Sequence, residues 1–271
     1  MIGSKTSPER RHLPRFANKV VLISGTGGGQ GRVAAMAFAM EGARVLGCDI
    51  NAELSAETTR LVVDAGGEMA SVEPLDLANP ADARRWIDTA ISNWGKIDVL
   101  YNNAAGVGFA PFDEATIEHW DYTLRNELTI GYVAARAAWP YFVEQGKGVI
   151  LSVASIAGHL ELSDFPCVAH GVSNAGVQAM ARMLAAAGAM HGIRSVSISP
   201  GIVNNPNAPG PFGDPNSLEM RTLWGPAAMG RPAEMMEIIN TALFLASDDA
   251  SYITGTDIAV DGGMSGIIWR R

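Results

Sequence analysis

The chain is poor in cysteine, short of positive charge, and without a long uninterrupted apolar run. Its 271 residues include two cysteines, Cys48 and Cys167. That is too few for a disulfide framework, and their spacing gives no metal site. Cys48 falls in an apolar, strand-like run and reads as a buried free thiol in a reducing compartment. A formal charge of -8 argues against nucleic acid and anionic membranes as partners. Residues 1–15 carry Lys5, Arg10, Arg11 and Arg15 with no apolar stretch behind them. They read as a disordered arm, not a secretory leader. The longest apolar helical stretch, Ala175 to Met190, is interrupted by Gln178 and Arg182, so it reads as a core helix and not a membrane span. These absences leave a globular cytoplasmic protein without a metal, and its 48% apolar content can fill a large core.

What the chain does have is glycine in one decisive place. The apolar run Val20-Val21-Leu22-Ile23 leads into the turn Ser24-Gly25-Thr26-Gly27-Gly28-Gly29-Gln30-Gly31. An Ala/Met-rich helical segment, Arg32 to Glu41, follows. A second strand, Ala43 to Cys48, ends at Asp49. Strand, glycine turn, helix, strand and acid is the order that a dinucleotide requires. Glycines let the backbone approach a pyrophosphate, and the helix N-terminus offers N–H groups and a positive dipole end. Asp49 follows Gly31 by 18 residues, near the spacing at which a carboxylate accepts hydrogen bonds from an adenosine ribose.

Strand and helix patterns then alternate to the end of the chain. The apolar runs Ile97 to Tyr101, Gly148 to Val153 and Ile193 to Ser199 read as strands, with long helical stretches at Ala115 to Gln145 and Pro166 to His191. The fold expected is α/β: a single-domain Rossmann-type doubly wound parallel sheet of about seven strands, with helices on both faces. The domain spans 16–263 and a tail occupies 264–271. One insert, 204–230, is rich in proline and glycine yet holds Phe212, Leu218, Met220, Leu223, Trp224 and Met229. An irregular segment this long and this apolar reads as a lid over a substrate pocket.

These residues resemble the short-chain dehydrogenase/reductase family over about Phe16 to Gly263. The family's glycine turn appears as Ser24-Gly25-x-x-x-Gly29-x-Gly31, with serine for threonine. Asp76-Leu77, Asn102-Asn103-Ala104 and Pro200-Gly201 match further family motifs, although Ala105 stands where a glycine is usual. The resemblance implies a cofactor site made of Gly25, Thr26, Gly28, Gly29, Gln30, Gly31, Asp49, Ile50, Asp76, Leu77, Asn103, Ala104, Ala105, Pro200, Gly201 and Val203. Asp49 would repel the extra phosphate of NADP, no Arg or Lys follows it, and Gly28 stands where NADP-preferring relatives often carry a base. NAD(H) is the expected cofactor. The resemblance also implies a homo-oligomer, a dimer or tetramer.

The catalytic residues depart from the family. Its members use Ser, Tyr and Lys, the last two four residues apart on one helix face. Here Ser155 keeps the serine, but His170 occupies the tyrosine position and Asn174 the lysine position. No tyrosine lies between Tyr141 and Tyr252, so no shift of register restores the motif. Counting back from the Arg136-Ala137-Ala138 match puts Glu127, beside Asn126, where the family has asparagine. Asn205 replaces the threonine after Pro-Gly.

Three readings follow. In the first, His170 is the acid and base of a redox site acting on an apolar secondary alcohol or ketone. Imidazole titrates near pH 6.5 without a lysine to help it; Glu127 and Asn174 relay protons to solvent, and Ser155 holds the substrate oxygen. In the second, the fold keeps NAD and performs lyase or epimerase chemistry. In the third, it is an inactive nucleotide binder or partner subunit. His159, Glu161 and Asp164 read as surface polar residues, and Trp86 and Trp139 as packing.

Overall fold

The computed structural model describes residues 14–161, 167–206 and 213–267. Seven strands form one sheet: β1 (Val20–Ser24), β2 (Arg44–Cys48), β3 (Glu68–Val72), β4 (Val99–Asn102), β5 (Gly148–Val153), β6 (Ile193–Pro200) and β7 (Asp257–Val260). Every neighbouring pair is parallel, in the order β3-β2-β1-β4-β5-β6-β7. The helices are α1 (Gly29–Met40), α2 (Ala52–Asp64), α3 (Pro80–Trp94), α4 (Ile117–Leu124), α5 (Ile130–Gln145), α6 (Val168–Gly188), α7 (Leu218–Trp224) and α8 (Met235–Ala246).

Parallel strands need crossovers, and the crossover helices cover both faces of the sheet. That is why β1 is buried at every position and carries no polar alternation until Ser24. On one face Phe38 of α1 packs with Ile238 and Leu243 of α8; on the other, Trp86 of α3 packs with Phe142 of α5. Trp86 is fully buried, and its indole N–H donates to the Gly47 carbonyl at 3.1 Å, while Trp139 packs against the same core. Helix ends follow local chemistry. The Asn51 and Asn79 side chains accept N–H groups at the starts of α2 and α3, and Gly95 and Gly146 close α3 and α5 at positive φ.

Three differences from the sequence expectation bear on the site. First, α1 begins at Gly29 and not Arg32, so the last glycines of the turn belong to its first turn. Second, the stretch 115–145 is not one regular helix: a π-helical turn, Arg125–Thr129, separates α4 from α5 and carries Glu127. Third, the insert 204–230 contains α7 and is closed at its base by a bridge between Val203 and Ala233. Expectations for residues 1–13, Asp164, Phe212, and Trp269 to Arg271 lie outside the described residues.

β1 lies between β2 and β4, so the chain leaves it in opposite directions on its two sides. A crevice opens at the C-terminal ends of the strands at such a point. Ser24 stitches the crevice floor. Its hydroxyl accepts the N–H groups of Asn103 (2.9 Å) and Ala104 (3.0 Å), and its carbonyl accepts Asn103 Nδ2 at 3.1 Å.

Candidate active site

The crevice holds two joined cavities. The first, about 590 Å³, is bordered by Gly25, Asp49, Ile50, Asp76 and Leu77. The second, about 520 Å³, is bordered by Glu127, Ser155, His170, Asn174, Pro200, Gly201 and Val203. Gln30, Asn103, Ala104, Ala105 and Asn205 border both, so the two make one cleft.

In the first cavity the turn is tight by necessity. A Cβ on Gly31 would lie 1.9 Å from the Gly25 carbonyl oxygen, whereas one on Gly28 would meet nothing within 4 Å. Gly31 therefore serves close packing inside the turn, and Gly28 faces open space. Gly29, at φ +49°, starts the helix. Each oxygen of Asp49 takes one backbone N–H, from Gly27 and from Asn51, both at 2.8 Å. The carboxylate is fixed in place and keeps lone pairs for a further donor. Gln30 Oε1 is buried without a hydrogen-bond partner among the described residues. Arg125 pairs with Asp76 at 2.5 Å and holds its carboxyl below the ordinary carboxylate range.

Thr26 departs from the sequence expectation. Its N–H donates to the Cys48 carbonyl at 3.2 Å and its hydroxyl meets Ser55 Oγ at 3.1 Å. It is fully buried, borders neither cavity, and serves to tie the turn to β2. A guanidinium stands near Asp49 in space. No base follows Asp49 in sequence, yet Arg32 donates to the carbonyl of Gly27, the residue whose N–H Asp49 accepts. That guanidinium is held by Glu57 at 2.6 Å and by Thr58 at 2.9 Å.

The second cavity brings together Glu127, His170 and Asn174, which come from two elements. The π-helical turn delivers Glu127, and α6 delivers His170, Ser173 and Asn174. His170 Nδ1 lies 2.9 Å from Glu127 Oε1. Ser173 Oγ donates to Glu127 Oε2, and Asn174 Nδ2 donates to the same oxygen at 3.2 Å and to the His170 carbonyl at 2.9 Å. Those two bonds use both amide hydrogens of Asn174, so its 3.0 Å approach to His170 Nδ1 is a contact and not a bond. A carboxylate that faces Nδ1 places the imidazole proton there and leaves Nε2 as the basic nitrogen. The Glu127 side chain is 6% exposed and that of His170 is 21% exposed.

Glu127 and Asn174, read as a proton relay, share one hydrogen-bond network with His170: three donors converge on the Glu127 carboxylate, and the Glu127 side chain is 6% exposed. Ser155 caps the short 3₁₀ turn Ile156–Gly158, its Oγ accepting the Ala157 N–H at 3.1 Å. Its hydroxyl hydrogen stays available to an oxygen in the cavity. No Tyr, Lys or Arg borders this cavity among the described residues.

Sequence reading missed Ser173 and Phe109, whereas Met220 was read as part of the lid. Ser173 lies three residues from His170, a helical spacing that brings both to one carboxylate. The Phe109 ring centroid is 5.8 Å from that of His170, and Met220 of α7 borders the cavity from the insert. Phe109 carries no motif that marks it. Of the residues read as surface polar, His159 is 41% exposed and pairs with Asp257 at 2.7 Å.

Among the described residues no helix is long and apolar enough to cross a membrane, and no His, Cys, Asp or Glu group can hold a metal.

Known proteins match the chain over nearly its whole length. A family model described as enoyl-(acyl carrier protein) reductase matches residues 25–265. A 2,5-dichloro-2,5-cyclohexadiene-1,4-diol dehydrogenase of Sphingobium indicum is 34% identical over 258 residues, 93% of this chain and 98% of the relative. D-threitol dehydrogenase of Mycolicibacterium smegmatis is 33% identical over 251 residues, 92% of this chain and 94% of the relative. The solved structure of a 7α-hydroxysteroid dehydrogenase complexed with NADH and 7-oxo glycochenodeoxycholic acid superimposes with a TM-score of 0.85. It is 26% identical and covers 93% of this chain and 96% of that one.

Proposed function

The chain belongs to the short-chain dehydrogenase/reductase family and is an oxidoreductase, and we propose that it interconverts an apolar secondary alcohol and its ketone using NAD(H), with His170 as acid and base. The observation that carries this reading is the Glu127–His170 pair at 2.9 Å, in a cavity that Ser155 also borders.

NAD(H) supplies the hydride acceptor or donor for the carbinol carbon. Three features of the chain fit such a group: the open space over Gly28, the unpartnered Gln30 Oε1, and the fixed carboxylate of Asp49. Asp49 and Ile50 would hold the adenosine ribose, and Asp76 and Leu77 the adenine. The first turn of α1 would hold the pyrophosphate. Asn103, Ala104, Ala105, Pro200, Gly201 and Val203 would line the path to the nicotinamide. A carboxylate at the ribose disfavours the additional phosphate of NADP(H).

During oxidation, His170 Nε2 takes the alcohol proton while the Ser155 hydroxyl donates to the substrate oxygen. Glu127 stabilises the imidazolium that forms, and Asn174 and Ser173 hold Glu127 in place. Reduction runs the same proton transfer backwards, from imidazolium to the developing alkoxide. Val107, Phe109, Ile202 and Met220 give the cavity apolar walls, and Glu127 is the one carboxylate among its described bordering residues. An uncharged substrate with a hydrocarbon body fits those walls, and the insert 204–230 serves as the lid. The exposed Tyr132 on α5 and Val172 and Met183 on α6 support a homo-oligomer. The buried free thiols suit the cytoplasm.

The test pairs calorimetry with turnover. NAD and NADH should bind more tightly than NADP and NADPH, and cyclohexanol should be oxidised in preference to threitol. His170→Ala should abolish turnover and leave NADH affinity within about threefold, since it removes the proton-transfer group alone. Turnover that survives this change overturns the role of His170, and a preference for threitol overturns the apolar substrate.

A further inference from the structure

Behind Ser155 runs a buried polar chain that the catalytic chemistry leaves unused. Gln178 lies on α6, eight residues beyond His170, and is 4% exposed. Its Nε2 donates to the Ser155 carbonyl at 3.1 Å and to Ser199 Oγ at 3.0 Å. Ser199, fully buried on β6, passes its own hydrogen to Asp257 Oδ1 at 2.9 Å. Ser197 Oγ donates to the same oxygen at 2.6 Å. The other oxygen, Asp257 Oδ2, lies 2.7 Å from His159 Nε2, in the turn that follows Ser155. The Asp257 side chain is 8% exposed and that of His159 is 41% exposed.

The donors and acceptors form a consistent series. The amide donates to a hydroxyl, the hydroxyl donates to a carboxylate, and the imidazole donates to that carboxylate from the other side. A buried carboxylate with three donors is held firmly, because breaking any one bond leaves a charge or hydroxyl unsatisfied. The packing is equally tight. A Cβ on Gly158 would lie 2.6 Å from Gln178 Nε2 and 2.8 Å from the Ala175 backbone nitrogen, so the turn after Ser155 presses directly on α6.

Placement gives the chain its consequence. Helix α6 carries His170 near its start and Gln178 two turns later, and Gln178 grips the carbonyl of Ser155. A single rigid helix therefore sets the separation between the base and the hydroxyl that hold one substrate oxygen. His159 pins the far end of the Ser155 turn to β7.

We propose that Gln178, Ser199, Asp257 and His159 are positioning residues, which fix Ser155 relative to His170 by anchoring the 155–159 turn at both ends. This rests on the reading of Ser155 and His170 as the groups that meet the substrate oxygen. None of the four is expected to touch substrate or cofactor. Their effect is geometric: a displacement of about 1 Å at a reacting group costs up to about a hundredfold in rate.

Two variants test it. His159→Leu removes the exposed anchor without disturbing the core, and His159→Gln keeps a side-chain N–H of similar reach. With cyclohexanol and NAD, His159→Leu should lower kcat about tenfold with NADH affinity unchanged, and His159→Gln should restore it to within about twofold. Gln178→Met, which removes both donors at constant length, should lower kcat further. In both loss variants, hydrogen exchange at the 156–160 amides should accelerate while that of β5 and β6 stays slow. Unchanged kcat and unchanged exchange in His159→Leu overturn the proposal, as does a loss that His159→Gln fails to rescue. If Gln178→Met does not fold, the His159 pair decides alone. His170→Ala, run alongside, separates the two failures. Turnover surviving that change sinks the catalytic reading, whereas its loss beside an inert His159→Leu sinks only the positioning role.

Discussion

Replacing Glu127 with glutamine probes the site at constant shape. The carboxylate accepts from His170 Nδ1 at 2.9 Å, from Ser173 Oγ, and from Asn174 Nδ2 at 3.2 Å. An amide offers one acceptor oxygen and one NH₂ group to those three donors. If the oxygen faces Ser173 and Asn174, the NH₂ meets His170 Nδ1 and drives the imidazole proton onto Nε2, where the base is needed. If the oxygen faces His170, the NH₂ opposes the Asn174 amide hydrogens. Either orientation loses a hydrogen bond to a charged acceptor, worth about 1.5–3 kcal/mol. Because Glu127 is only 6% exposed, solvent screening offsets little of that loss. Carried into the transition state, such a loss corresponds to a fall in kcat of about ten- to a hundredfold. Carried into the folded state, it lowers Tm by about 2–4 °C per kcal/mol. Steady-state NADH formation from cyclohexanol measures the first, calorimetry the second, and NADH fluorescence titration confirms that the cofactor half is intact. A kcat within about threefold of the parent, with NADH bound equally well, would refute the reasoning, since Glu127 would then neither orient nor stabilise the imidazole.

Two further outcomes are expected. Asp49→Ala should raise NADPH affinity relative to NADH about tenfold or more, because a like-charge clash costs several kcal/mol and Arg32 is close to the freed space; equal selectivity before and after, by calorimetry, would remove Asp49 from that role. The bonds from Arg231 hold the Glu237 carboxyl down from its ordinary 4.5 to about 2, so this group favours the folded state at pH above 4.5 and loses that contribution as pH falls toward 2. Glu237→Gln should flatten the acid side of the stability curve between those values, modestly because the pair is exposed, and an unchanged acid limb would argue against the linkage.

Much of the molecule was legible in the chain because its signals are local. A β-branched run that is buried on both faces cannot alternate with polar residues, so β1 and β5 declare themselves. The glycine turn declares itself because only glycine at Gly31 lets α1 pack within 1.9 Å, measured from its missing Cβ, of the Gly25 carbonyl. The family motif that α6 resembles spans four residues on one helix face, which is why the resemblance could place His170 and Asn174 from this helix alone.

Tertiary structure decided what lies across long separations. Glu127 meets His170 over 43 residues, and the π-helical turn that aims it has no distinct sequence pattern. Arg32, which comes before Asp49 in the chain, closes on the Gly27 carbonyl only after α1 and α2 pack together. Thr26 has the residue type and place of a cofactor contact, yet its hydrogen-bond partners on β2 and α2 turn it inward. Gln178 reaches Ser155 across 23 residues and Asp257 reaches His159 across 98. Periodicity and turn chemistry act within a few residues and specify the fold and the glycine turn at its crevice. Hydrogen-bond partners are chosen by whichever side chains the packed sheet brings together, and that choice specifies the site.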